Sequence, residues 1–316
     1  MNIHQVNKTG ETDNSLPDFI IAGFNRCGTS TLHALLDQHP RICMSRPKEV
    51  HYFNFDATYR HGPQIYDSVF AHCDTSVVRG EATPSYIYNG LLFQGKNSGY
   101  YYDPGHDSII RLASDAPATK LILSLRHPVD AALSHFNKAQ LQEREALETR
   151  LIDAMHAEWA GERRITETDL CYFYLTSYSR HIRHLLAHIP REQVIFLIFE
   201  EWTTNQKATL DRISHFLGLE KHEPEQDAAI VRNTGREAAI PGLRDILRTI
   251  LPQRLAMPVY RRLATRNGYT GISEADARTI AEQYHEEIKA LETLIGRDLS
   301  IWNIPGHHNA EAGNGE

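Results

Sequence analysis

FIIAGFNRCGTSTLHALLDQHP, residues 19–40, is the stretch from which the fold is read. Its first five residues form a short apolar run with the composition of a buried strand. STLHALLDQHP, residues 30–40, has helical spacing and a proline to stop it. Between the two, Gly23 and Gly28 stand as in a Walker loop, G-x-x-x-x-G-K-[ST], yet position 29 is threonine where that loop has lysine. Backbone N–H groups from Cys27 to Thr31, at a helix start, are suited to face an anion. Thr29, Ser30 and Thr31 add hydroxyl donors, and Arg26 offers a guanidinium for a phosphate or sulfate oxygen. The same residues also suit a plain strand-to-helix turn with polar caps.

Further along, apolar runs and amphipathic stretches alternate. VVRGEA (77–82), KLILSLR (120–126) and VIFLIFEEW (194–202) read as strands. Helices are expected over 128–144, led by Pro128, over 172–189, and from Asn205 to a stop at Gly218. The longest helix is expected over 272–296, opened by the capping pair Ser273 and Asp276. Strands separated by helices imply a parallel sheet with right-handed crossovers, and ligands in such folds sit at the carboxyl ends of the strands.

A chain of 316 residues with net charge −7 lacks the basic footprint of a nucleic-acid binder. Its four cysteines show no C-x-x-C pairing, which reads as reduced thiols in a cytoplasmic protein. There is no apolar leader at the N-terminus and no run long enough to span a membrane, so a soluble protein is expected. Residues 1–17 and 305–316 read as disordered ends around a single domain over 18–304.

Two further segments carry chemistry. LRHPVDAALSHF (125–136) sets Arg126 at a strand end and Ser134 two turns into a helix; arginine forms forked, charge-assisted bonds to a dianion. Arg126 paired to a carboxylate is the plainer alternative. RPKEVHYF (46–53) crowds Lys48, Glu49 and His51 together. In an extended segment Glu49 and His51 would share a side, and a carboxylate beside an imidazole prepares a general base. A solvated charged loop is the alternative.

Taken together, these segments resemble the sulfotransferases that use 3′-phosphoadenosine 5′-phosphosulfate (PAPS), and among them bacterial members akin to heparan sulfate sulfotransferases. GFNRCGTSTL is similar to their 5′-phosphosulfate loop, RHPVDAALS to their 3′-phosphate motif, and KEVHYF to the segment bearing a catalytic glutamate. GEATPSY (80–86), SYSRHIRHLL (177–186), FEEW with a helix ending FLGL (199–219), and GRDLSIW (296–302) extend the resemblance from about residue 18 to 302. It implies a P-loop-like α/β three-layer sandwich, a central parallel sheet flanked by helices. It also implies PAPS as sulfuryl donor, PAP as product and no metal. The acceptor would be a hydroxyl or amine of a carbohydrate or glycolipid. A phosphosulfate has no γ-phosphate, so a loop without the Walker lysine fits it. Glu49 would be the base, His51 its orienter or the alternative base, and Lys48 and Arg26 the stabilisers of leaving-group charge. Arg126 and Ser134 would read the 3′-phosphate.

Two positions depart from the family pattern. Arg26 stands where lysine is usual, and arginine stabilises charge but is a poor proton donor. Ala131 stands where a second arginine is usual, and Arg232 or Arg236 in VRNTGRE is the expected replacement. A small-molecule kinase of the P-loop class and a non-catalytic PAP-binding protein are the competing readings. His181, His184 and His188 recur at helical spacing with no acidic partner evident and read as a partly exposed polar stripe. GLLFQGKNSGYYYDPGH (90–106) reads as an acceptor-binding lid or a mobile insertion. Cys27 reads as a backbone position rather than a nucleophile.

Overall fold

Phe19–Gly23 forms strand β1, and all five of its residues are buried. In the computed structural model, described over residues 16–74, 77–95, 99–142, 144–163, 170–220, 236–238, 264–267 and 271–303, the chain packs into two compact units. The first holds most residues up to 125 together with 181–228. Its strands are β1, β2 (Ile42–Met44), β3 (Val78–Ala82), β4 (Leu91–Gly95), β6 (Lys120–Leu125) and β7 (Val194–Ile198), while β5 is Gly99–Tyr102. Five of them form one sheet in the order β2-β3-β1-β6-β7. Each neighbouring pair is parallel, with Phe19 opposite Gly80 on one side and Lys120 on the other. Strands β1 and β7 are buried along their whole length, as parallel strands covered by helices on both faces must be.

The chain after β1 turns toward β2 and β3, whereas β6 and β7 lie on the other side. The carboxyl edge between β1 and β6 is therefore the topological switch point, where such sheets bind ligands. Helices α1 (Thr29–Leu36) and α10 (Gln206–Leu217) pack Leu32, Leu35, Leu36 and Ile213 onto Phe19, Ile21, Ile122, Ile195 and Leu197. Gly80 in β3 is required by this packing. A methyl group there would come within 2.2 Å of the Phe19 ring and 2.6 Å of the Met44 sulfur.

The second unit has its own core. Helices α5 (Pro128–Leu141), α6 (Leu151–Trp159), α7 (Tyr172–Thr176), α11 (Glu274–Gln283) and α12 (His285–Ile295) supply it. Val129, Phe136, Met155, Tyr172, Ile280 and Tyr284 pack together there. Strands β8 (Arg236–Ala238) and β9 (Ala264–Asn267) pair antiparallel. The other α-helices among the described residues are α2 (Asp56–Arg60), α3 (Ile65–Val69), α4 (Ser108–Asp115), α8 (Tyr178–His188) and α9 (Phe199–Thr204). Among the described residues, no helix is long and apolar enough to cross a membrane.

The structure departs from the sequence reading at several places. VIFLIFEEW is a strand only to Ile198, and Phe199–Thr204 turns into α9. The helix expected over 172–189 breaks at Ser177 (φ −79°, ψ 73°). There Thr176 Oγ1 donates to Tyr172 O and Ser177 Oγ to Phe173 O, so hydroxyls compete with backbone donors for those carbonyls. The helix expected over 272–296 is interrupted at Tyr284, making α5, at 14 residues, the longest described. Ser273 does cap α11, its Oγ accepting from Asp276 N. Leu16 and Pro17, expected to be disordered, are tied down, with their carbonyls accepting from Arg79 and Thr119. The expected disordered tail over 305–316 lies outside the described residues.

The expectation of four reduced thiols is also corrected. Cys43 and Cys73 form a disulfide, with Cα atoms 5.8 Å apart, while Cys27 and Cys171 are buried and take no part in a disulfide. The pair was illegible because its partners are 30 residues apart and meet only when β2 and the turn after α3 pack together.

Candidate functional site

Gly28 sets the geometry of the loop after β1. It takes φ +79°, in the left-handed region that glycine enters freely, and serves as the N-cap of α1. Gly28, having no side chain, makes no capping bond to the first-turn amides of this helix. Thr29 is buried and Ser30 is exposed, and Arg26 itself lies at φ 66°. The loop is held from behind: Phe24 N donates to Ser124 O at 3.0 Å and Asn25 N to Tyr88 Oη at 3.2 Å. Ser124 Oγ, in β6, donates to Cys27 O at 2.6 Å and accepts from Trp202 Nε1 at 2.9 Å. Trp202 and Phe199 of α9 close over Gly28, which explains why FEEW accompanies the loop in the sequence. Cys27 is fully buried.

Lys48, Glu49 and His51 do come together, though not by strand alternation. Residues 45–53 are irregular, and His51 has φ 58°. Lys48 Nζ lies 2.8 Å from Glu49 Oε1, and His51 Nε2 lies 3.5 Å from Glu49 Oε2. Partial burial alone would raise the Glu49 carboxyl, but the bonds and charges of His51 and Lys48 outweigh it and hold the group down at about 2. The His51 ring is locked from its other side, with Nδ1 3.1 Å from Asn54 Oδ1 and Phe93 stacked on it at 4.0 Å. Asn54 Nδ2 in turn donates to Ser85 Oγ at 3.0 Å. Asn54, Ser85 and Phe93 escaped the sequence reading. The three-residue step from His51 to Asn54 is visible in the chain, but Ser85 and Phe93 are brought in only by folding.

Beneath this chain sits Glu81 of β3, which is fully buried. Its carboxylate accepts from Tyr66 Oη at 2.5 Å, Thr83 Oγ1 at 2.6 Å and Tyr86 Oη at 2.9 Å. Thr83 Oγ1 also accepts from His51 N at 3.4 Å, linking the buried carboxyl to the segment above. Burial pushes the Glu81 carboxyl up, and the three hydroxyls only partly offset this. The folded state therefore holds that proton more tightly than the unfolded chain. The stability this group contributes is full at low pH and declines as pH rises above its ordinary value of 4.5. Glu81→Ala leaves three buried hydroxyls without an acceptor and opens a cavity, so we expect a loss of about 3–5 kcal/mol in urea unfolding. A midpoint unchanged from wild type would refute this account of the network.

Arg126 directly follows β6 and is half-buried; Ser134 lies in the second turn of α5 and is likewise half-buried. Both belong to the second unit. Arg236 heads strand β8, paired with Asn267, and Arg232 lies outside the described residues. The histidine stripe is partly exposed, as expected, from buried His181 through half-buried His184 to exposed His188, but it does have an acidic partner. His181 is buried against Phe24 and Tyr88, and His184 Nε2 lies 2.7 Å from Asp107 Oδ2, an acidic partner from the cap of α4. Residues 90–106, expected as a lid or insertion, contain β4 and β5, and His106 among them is buried.

Comparison with known proteins matches the architecture. A model of the sulfotransferase family matches residues 17–224. Human heparan sulfate glucosamine 3-O-sulfotransferase 3B1 is 26% identical over 213 residues, 67% of this chain and 49% of that protein. The mouse bifunctional heparan sulfate N-deacetylase/N-sulfotransferase 4 is 26% identical over 219 residues, 67% of this chain and 23% of that protein. The chain thus spans about half the length of the first relative and under a quarter of the second. A solved sulfotransferase from Alicyclobacillus acidocaldarius shares the fold, with a TM-score of 0.64, 22% identity, and coverage of 92% of this chain and 99% of that one. A family model spanning two thirds of the chain, laid over a loop that presents helix amides without a Walker lysine, places it: this protein belongs to the sulfotransferase family.

Proposed function

We propose that the protein transfers a sulfuryl group from PAPS to a hydroxyl or amine of an acceptor, a carbohydrate or a glycolipid, and releases PAP. The observation that carries this reading is the Lys48–Glu49–His51 group, one carboxylate gripped by an ammonium on one oxygen and an imidazole on the other. In this reading the phosphosulfate rests on the amides from Cys27 to Thr31. Arg126 and Ser134 take the 3′-phosphate, and Arg236 adds a late basic contact.

The acceptor oxygen attacks sulfur, the bond from sulfur to the bridging oxygen of PAPS breaks, and the acceptor proton goes to Glu49. Held at about 2, Glu49 is ionised at working pH but is a weak base while Lys48 grips it. Negative charge growing on the bridging oxygen draws Lys48 away from Glu49, and the carboxylate regains basicity as the proton arrives. One lysine thereby couples leaving-group stabilisation to base strength. Arg26 adds charge stabilisation without serving as an acid. His51, fixed by Asn54 and Phe93, orients the carboxylate.

The donor is tested by thermal and chemical unfolding with nucleotides. PAP at a hundred times its Kd should stabilise the protein by about 2.7 kcal/mol, whereas ATP with magnesium should not. Stabilisation by ATP–magnesium alone would favour the kinase reading. Labelled PAPS incubated with a panel of glycans and glycolipids, with products identified by mass, tests transfer. Binding of PAP without transfer to any acceptor would leave a nucleotide-binding protein.

A further inference from the structure

Cys43 and Cys73 are not needed for the chemistry above, yet their position is telling. Cys43 lies on β2, an edge strand of the sheet, and Cys73 follows α3. Their bond closes the chain over residues 43–73, a loop that contains Lys48, Glu49, His51 and Asn54. His72 Nε2 lies 3.4 Å from Cys43 Sγ and 3.7 Å from Cys73 Sγ. His72 is exposed and both cysteines are half-buried, so the bond lies where a small thiol can approach it.

We propose that Cys43, Cys73 and His72 form a reversible thiol–disulfide modification site whose redox state sets the rigidity of residues 44–55. The class of reactant is a low-molecular-weight thiol or dithiol. Its thiolate attacks Cys73 Sγ, forming a mixed disulfide and expelling Cys43 as thiolate beside His72, the nearer cation when protonated. A second external thiolate then attacks the reagent's sulfur in the mixed disulfide and releases Cys73. Two electrons and two protons reach the protein as two thiols, and the reagent leaves as its own disulfide. Oxidation runs the same steps backward.

The fold survives reduction because the loop has other anchors. Ser45 N donates to Gly80 O at 2.8 Å, Phe93 N to Asn54 O at 2.9 Å, and Arg46 N to Val69 O at 3.3 Å. What reduction removes is the covalent restraint, which acts on the mobility of the loop rather than on the sheet. The inference does not depend on which reaction the site performs.

The experiment uses the whole protein purified without reductant. After denaturation, alkylation and mass measurement, two alkylated cysteines are expected, Cys27 and Cys171, rising to four after dithiothreitol. Hydrogen exchange followed by mass spectrometry should then show peptides over 44–55 exchanging about tenfold faster in the reduced form, with β1 and β6 unchanged. The double variant Cys43→Ser, Cys73→Ser should match the reduced wild type and ignore reductant. His72→Asn should slow reduction about tenfold. The proposal is overturned if Cys43 and Cys73 are found as free thiols around a bound zinc ion, if the bond yields only on unfolding, or if exchange over 44–55 is the same in both states.

Discussion

Glu49→Gln should lower sulfuryl transfer by about 10²–10⁴-fold while PAP still protects the protein against unfolding. Glutamine keeps the size of the side chain and its carbonyl, but it cannot take a proton and no longer draws Lys48 by charge. Because the Glu49 side chain is 44% exposed, solvent screens its pairing and the change should cost the fold only a small part of its stability. The same substitution has a pH signature. In wild type the carboxyl is depressed from 4.5 to about 2, so its pairing with Lys48 and His51 supports folding above pH 4.5 and is lost as pH falls through about 2. The variant loses that dependence. Single-turnover transfer measured beside PAP-induced stabilisation separates the outcomes. Full turnover in Glu49→Gln would move the base role to His51, and loss of PAP binding would make Glu49 a binding residue instead.

Gly28→Ala should damage fold and nucleotide binding together. At φ +79° an alanine pays the left-handed penalty, and its methyl would stand 2.5 Å from Trp202 and 2.7 Å from Phe199. Trp202 is buried and Phe199 packs edge-on against it at 5.4 Å, so making room means moving both rings. The combined cost is expected to be about 2–5 kcal/mol in urea unfolding, with weakened protection by PAP even below the transition. A variant with wild-type stability and PAP binding would mean that the loop reshapes freely, and the amide cradle would lose its basis.

The chemistry of the site was legible wherever a residue's role follows from its type and its neighbours in the chain. Glycine at 28, the hydroxyls at 29–31 and the Lys48-Glu49-x-His51 spacing are of that kind, because a turn or a short segment places them without help. Ser85 and Phe93 against the His51–Asn54 pair, Ser124 between Cys27 and Trp202, and Tyr66 on Glu81 were not, because each contact joins segments that meet only on folding. The helix breaks at Ser177 and Tyr284 were missed for a related reason. Helical periodicity runs straight through both, whereas hydroxyls at Thr176 and Ser177 compete for carbonyls and the buried Tyr284 pairs with Thr176.

By itself, then, the order of apolar runs and glycines determined a parallel α/β sheet with a glycine turn after its first strand, since strand and helix periods and turns are local properties. Only the tertiary structure decided that β1 and β6 meet at the switch point, that Phe93 and Ser85 lock the His51–Asn54 pair, and that Cys43 joins Cys73. Those depend on distances between segments far apart in the chain, which side-chain packing sets and sequence spacing does not encode.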